Sequence, residues 1–285
     1  MGTLIHVPLV VQTDPEHGGR WTSLNGGGRE WLWHRDEPRR AHVGPGDAFA
    51  DAGGLEECIP TVRGTPDHGE AWSRAWTALD EQGHEHVVRC EEFELTRAIS
   101  EDDGSVVADY RLVADPGYRF IWAGHALLDL SPGATLETAR GMQARLFPEA
   151  APYLRAPWPD GAAWIEGEWP APAGLRLDTF GPDDGTAVGA IVHRAAHRVT
   201  AFVENGPDVL RMTVVAQGQP ASVALWRNLG GFPESGPYRS IGVEPMLGRV
   251  FDLDDAHAGD CAVTPASGEV RWRLTVAAYR RTERN

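Results

Sequence analysis

An antiparallel all-β fold is predicted by this sequence on three counts. Apolar and polar residues alternate with period two through several runs, turn-forming clusters separate those runs, and no stretch sustains helical or heptad spacing. Along the chain, Asn25-Gly26-Gly27-Gly28 marks an early turn, and Trp31 with Trp33 reads as one strand face. Asp102-Asp103-Gly104 and Asp115-Pro116-Gly117 bracket a strand with Val106, Ala108, Tyr110 and Leu112 on one side and Asp109 and Arg111 on the other. Ser131-Pro132-Gly133 is a further turn. From Arg140 to Pro172, the prolines at 148, 152, 157, 159 and 170 exclude a long regular element, which predicts a surface loop with one short turn of helix. Beyond Glu204-Asn205-Gly206-Pro207, Leu210, Met212 and Val214 alternate with Arg211 and Thr213. Beyond Ser267-Gly268, Val270, Trp272, Leu274 and Val276 alternate with Arg271, Arg273 and Thr275.

Alternation continues on both sides of the proline-rich stretch without a change in composition, and no fixed-period repeat is present, so residues 1–285 read as a single domain. No apolar run approaches the roughly 18 residues needed to span a membrane. The stretch from Met1 to Val11 is too short for a signal peptide and lacks a basic start, which predicts a cytoplasmic protein. The net charge of -15 argues against nucleic acid as a partner, because phosphate binding needs a concentrated positive surface. All 26 basic residues are arginine. Without lysine there can be no Schiff-base aldolase, pyridoxal-phosphate or Walker-A chemistry. Cys58, Cys90 and Cys261 form no C-x-x-C pair and read as reduced, packed thiols.

Four short segments carry the chemistry: Gly53-Gly54-Leu55-Glu56-Glu57-Cys58-Ile59-Pro60, Asp67-His68-Gly69-Glu70-Ala71-Trp72-Ser73-Arg74, Gly124-His125-Ala126-Leu127-Leu128 and Gly242-Val243-Glu244-Pro245. In this order and rough spacing they resemble the galactose mutarotase superfamily of aldose 1-epimerases and hexose-phosphate epimerases, over about Leu24 to Asp254. The resemblance implies an antiparallel β-supersandwich and an aldose 1-epimerase-like activity that interconverts sugar anomers by opening the ring. It also implies roles: Glu244 as the base on the anomeric hydroxyl, His125 as the acid on the ring oxygen, and His68 as a contact near that oxygen. Histidine suits the acid because its ordinary pKa lies near neutrality. Arg74 resembles the arginine of a His-Gly-x-x-Arg pattern displaced by one place, and Asn228 in Trp226-Arg227-Asn228 resembles a Trp-Asn segment of the hexose-phosphate branch.

Trp72 offers an aromatic face for a pyranose, and Arg29, Arg39, Arg40 and Arg74 are candidates to clamp a phosphate. The expected partner is therefore a monosaccharide or a sugar phosphate, with no cofactor or metal, in a monomer or homodimer. Three alternatives stay open. One is a carbohydrate-binding protein of the same fold without turnover. Another is a glycoside hydrolase pairing Glu57 or Glu70 with Glu244. The third is a cupin-like metal half-site at His84, His86 and Glu91, for which no further ligand segment follows.

Overall fold

A computed structural model describes residues 3–282. Two ten-stranded sheets, whose strand ladders are antiparallel, hold nearly half of the described residues and frame the rest. The three alternating runs found in the sequence become Ser105–Ala114, Asp208–Val215 and Glu269–Arg281. They lie side by side in one sheet, with Met212 opposite Val276 and Val276 opposite Val106. Their alternating faces explain this, since each buries one apolar row against the second sheet and leaves the other row outside. Gly206 has φ 63° and opens the two-residue loop between Asn205 and Asp208, a position that suits glycine.

The second sheet carries the cleft. Its middle runs through Thr186–His193, Ala221–Phe232, Tyr238–Leu247, Trp122–Leu128 and Leu55–Cys58. Leu55, Trp122, Ala126, Val223, Leu225 and Val243 join the main core between the sheets. Intervening residues face away from it, and there Cys58, Ala123, Ile191, Ala224, Met246 and Phe251 form a second, smaller apolar cluster. The sheet is thus greasy on both faces, and polar groups on its outer face need a specific reason.

One departure from the sequence reading concerns 140–172. Beside a short 3-10 helix at Pro148–Tyr153, this stretch supplies two strands, Gln143–Leu146 and Ile165–Glu168. Each is four residues long, and they pair with each other at the sheet edge, where prolines in the connections interrupt no ladder. Runs this short give too few alternations to be seen in the sequence.

Glu56 and Glu57 are consecutive and therefore point to opposite faces. Glu57 enters the core with no exposure, receiving hydrogen bonds from Arg97 Nη1 (2.7 Å), Tyr110 Oη (2.9 Å) and Trp122 Nε1 (2.8 Å). A buried carboxylate survives only when paired in this way. Glu56 faces outward and is held by Arg40 Nε (2.8 Å) and Nη2 (2.9 Å). Cys58 and Cys261 are buried and all three cysteines are unpaired; burial pushes the Cys58 thiol well above its ordinary pKa. No helix among the described residues is long and apolar enough to cross a membrane.

Candidate active site

Strand register builds the site. Ala123 pairs with Met246 and Leu127 with Gly242, so counting inward from both sides sets His125 opposite Glu244. Pro245, which has no N–H to give, sits in the gap between those pairs. Directly opposed side chains on one face meet, and His125 Nε2 lies 3.7 Å from Glu244 Oε1. Glu244 is 2% exposed, and its Oε2 has no hydrogen-bond partner in the protein. Burial raises the Glu244 pKa above the usual carboxylate range, with His125 and Arg63 offsetting part of the rise. Gly242 is required by this geometry, because a Cβ there would stand 2.5 Å from Glu244 Oε1.

His68 reaches the same place from a loop. It has φ 60° and Gly69 φ 75°, and a Cβ on Gly69 would strike the Ile59 carbonyl at 2.0 Å, so the His-Gly pair forms a turn only glycine can complete. The strained histidine is held by stacking on Phe49, with ring centroids 3.7 Å apart, and by Asp67 Oδ1, 2.9 Å from its Nδ1. A carboxylate only accepts, so the ring proton sits on Nδ1 and Nε2 is left as an acceptor. Burial depresses the His68 pKa, against the opposing pull of Asp67, which favours the neutral ring. The His68 and His125 rings stand edge to face, 5.2 Å apart.

These three residues line a cleft of about 660 Å³. At one end Arg63 is paired with Glu149 (2.6 Å) and lies over Phe251, while Glu149 also accepts from the Gly189 N–H at 3.1 Å. A Cβ on Gly189 would press into that ion pair. Along the other end run Trp226, Phe232, Tyr238, Asp51 and Arg35. Tyr238 stacks on Trp33 and donates its hydroxyl to Asp51.

Of the residues singled out in the sequence, His125, Glu244 and His68 come together. Four others do not line the cleft. Trp72 is buried, donates Nε1 to the Gly69 carbonyl and packs edge-on against Phe49, so it braces the His68 support and offers no open face. Arg74 turns to Glu70 at 2.7 Å. Arg29 lies over Trp31 and donates to the Asp129 carbonyl. Asn228 is fully buried, its side chain bonded to Phe232, Tyr238 and Gly231 backbone groups, so it shapes the rim without reaching a ligand. The four-arginine clamp is therefore not assembled: Arg40 is spent on Glu56, and only Arg39, paired with Glu37, reaches the cleft.

Glu57 and Glu70 also lie outside it, which removes the carboxylate pairs proposed for a glycosidase. Among the described residues, no three His, Cys, Asp or Glu side chains gather as a metal-binding group, His84, His86 and Glu91 included. Residues the sequence did not flag include Phe49, Arg63, Glu149, Tyr238 and Phe251, none of which sits in a readable motif. Trp226, two places before Asn228, lines the cleft itself.

No protein-family model matches the chain, and no curated protein matches it in sequence. Solved structures do. A candidate aldose 1-epimerase from Escherichia coli superposes with TM-score 0.66 at 13% identity, covering 97% of this chain and 98% of that one. A galactose mutarotase related enzyme from Lactobacillus acidophilus gives 0.62 at 14%, covering 99% of both chains. A galactose mutarotase-like protein from Lactobacillus casei gives 0.62 at 15%, covering 97% and 100%. Likeness over whole chains at such low identity is a likeness of architecture, and it shows that this chain has the galactose mutarotase-like fold.

Proposed function

We propose that the chain is an aldose 1-epimerase-like enzyme that interconverts the α and β anomers of a reducing sugar, with Glu244 as base and His125 as acid. The observation that carries this is the 3.7 Å approach of His125 Nε2 to Glu244 Oε1 inside an open cleft, beside a carboxylate oxygen with no partner in the protein. Anomerisation needs two proton carriers close together, because the anomeric oxygen and the ring oxygen are bonded to the same carbon. Glu244 takes the hydroxyl proton, the C1–O1 bond becomes a carbonyl, the bond from C1 to the ring oxygen breaks, and His125 gives that oxygen a proton. After rotation about C1–C2 the two groups exchange protons with the open chain in reverse, and closure on the other face restores both. Burial that raises the Glu244 pKa makes the carboxylate a stronger base than one in water. His68, as a neutral acceptor, suits a neighbouring sugar hydroxyl.

The test is the rate at which freshly dissolved α-glucose and α-galactose equilibrate, followed by polarimetry or NMR exchange with and without protein. Acceleration that disappears in Glu244→Gln and in His125→Ala supports the assignment. Equal rates with and without the protein for these sugars and their phosphates would leave a binding protein of the same fold.

A further inference from the structure

Resting on the same cleft and the same reading of it, we infer that a second sugar subsite lies at the Phe232–Tyr238 end and that the substrate is a reducing disaccharide or longer oligosaccharide. The reducing ring would sit at His125 and Glu244, and the next ring over the aromatic rim.

Size is the first argument. A hexose displaces roughly six waters at about 30 Å³ each, so it needs about 180 Å³ and is only about 6 Å across. The cleft has about 660 Å³. Its length agrees with its volume. Glu244, Gly242, Ser240 and Tyr238 follow one another on the same face of the strand Tyr238–Leu247. The six steps from Glu244 to Tyr238 cover about 20 Å at roughly 3.3 Å per residue. One ring at the proton carriers leaves the far part of this track uncovered.

What lines that far part is the second argument. Among the described residues, Phe232 is the one strongly exposed large apolar side chain that lines the cleft, at 51%. It stands edge-on to Trp226 at 5.7 Å and 87°, so the two rings make a corner, and Trp226 is itself anchored by Nε1 donating to Ser240 Oγ at 3.3 Å. The Phe232 backbone is clamped on both sides by the buried Asn228, which donates to its carbonyl (2.9 Å) and accepts from its N–H (3.1 Å). An apolar ring held firmly in water has lost conformational freedom without gaining burial, and the C–H face of a pyranose would supply that burial. Opposite, Arg35 lies 4.4 Å over Tyr238, and Asp51 receives the Tyr238 hydroxyl. These groups offer both donors and acceptors to ring hydroxyls. Trp226, paired across the ladder with Gly242, itself lines the cleft and so joins the proton carriers to the Phe232 rim.

The experiment is a titration of the purified chain by ligand-observed NMR with glucose, galactose, maltose, cellobiose and lactose, repeated on Phe232→Ala, with Leu79→Ser as a control at an exposed apolar residue outside the cleft. At least one disaccharide should bind tenfold or more tightly than its reducing-end monosaccharide, and in F232A that ratio should fall to near one while L79S keeps it. Monosaccharides binding as well as every disaccharide, or an unchanged ratio in F232A, overturns the subsite. Polarimetry on the same samples separates the two readings. A disaccharide preference without faster anomerisation sinks the enzyme and keeps the subsite, and faster anomerisation without the preference does the reverse.

Discussion

His125 and Glu244 are cross-strand neighbours, 119 positions apart in the chain and 3.7 Å apart at their tips. Register places them together, so the pair is as rigid as the sheet that carries it. For an enzyme this is the right kind of scaffold, because proton carriers on strands hold their geometry better than carriers on loops. Glu244→Gln and His125→Ala should each lower kcat by about 10²- to 10⁴-fold, the usual worth of a positioned acid or base. Far-ultraviolet circular dichroism should remain that of the parent chain. Activity surviving in both variants would move the chemistry to other residues.

The raised Glu244 pKa has a consequence for stability as well as for rate. The folded state binds this proton more tightly than the unfolded chain, whose glutamate titrates near 4.3. The group therefore costs nothing below that pH and becomes an increasing burden as pH rises through the folded pKa. Glu244→Gln should consequently melt higher than the parent at pH 7, with the gain shrinking toward pH 4. Each unit of upward shift corresponds to about 1.4 kcal/mol. Activity should follow the same titration, with its acid limb displaced above the ordinary carboxylate range. Thermal melts and kcat measured across about pH 4 to 8 check both, and a Glu244→Gln gain over the parent that is no larger at neutral than at acid pH contradicts the assigned burial cost.

How much of this was legible in the sequence depended on the length of each signal. The strands at Val106, Leu210 and Val270 showed three or four alternations each and became central strands. Gln143–Leu146 and Ile165–Glu168 showed two and read as loop. His68, His125 and Glu244 were readable because each sits in a short segment that resembles the galactose mutarotase superfamily, and at His68 the backbone itself needs the neighbouring Gly69, at φ 75°. Phe49, Arg63 and Tyr238 were not, since each reaches the cleft through tertiary packing that leaves no local pattern. Arg74, Asn228 and Trp72 illustrate the converse: they lie in the right segments, yet side-chain direction takes them to Glu70, to backbone groups and to Phe49.

Gly242 offers a test of geometry separate from chemistry. Gly242→Ala would place its methyl group on Glu244 Oε1, the far end of a side chain that can swing aside, and 3.1 Å from Trp226 Cβ, which must yield slightly, so the fold should lose about 1–2 kcal/mol and survive. The displaced carboxylate should lose about 10- to 100-fold in kcat, since misplacement by about 1 Å is costly for a reacting group. Denaturant midpoints and initial rates on the same preparation would show the split. A variant with parental kcat would mean that the Glu244 carboxylate need not stand where it does.

Phe49 and the residues behind it should divide in a similar way. Phe49 stacks on His68 and is braced by Trp72, whereas Arg74 is turned to Glu70 and away from the cleft. Phe49→Ala should raise KM several-fold by freeing His68 from its stacked position, and Trp72→Phe should do so more weakly while keeping the core filled. Arg74→Ala removes only a partly exposed ion pair, worth about 0–1 kcal/mol, and should leave KM for a neutral sugar within twofold of the parent. Steady-state kinetics on the three variants would check the order. A large KM effect in Arg74→Ala would return that arginine to the binding site from which its hydrogen bonds now exclude it.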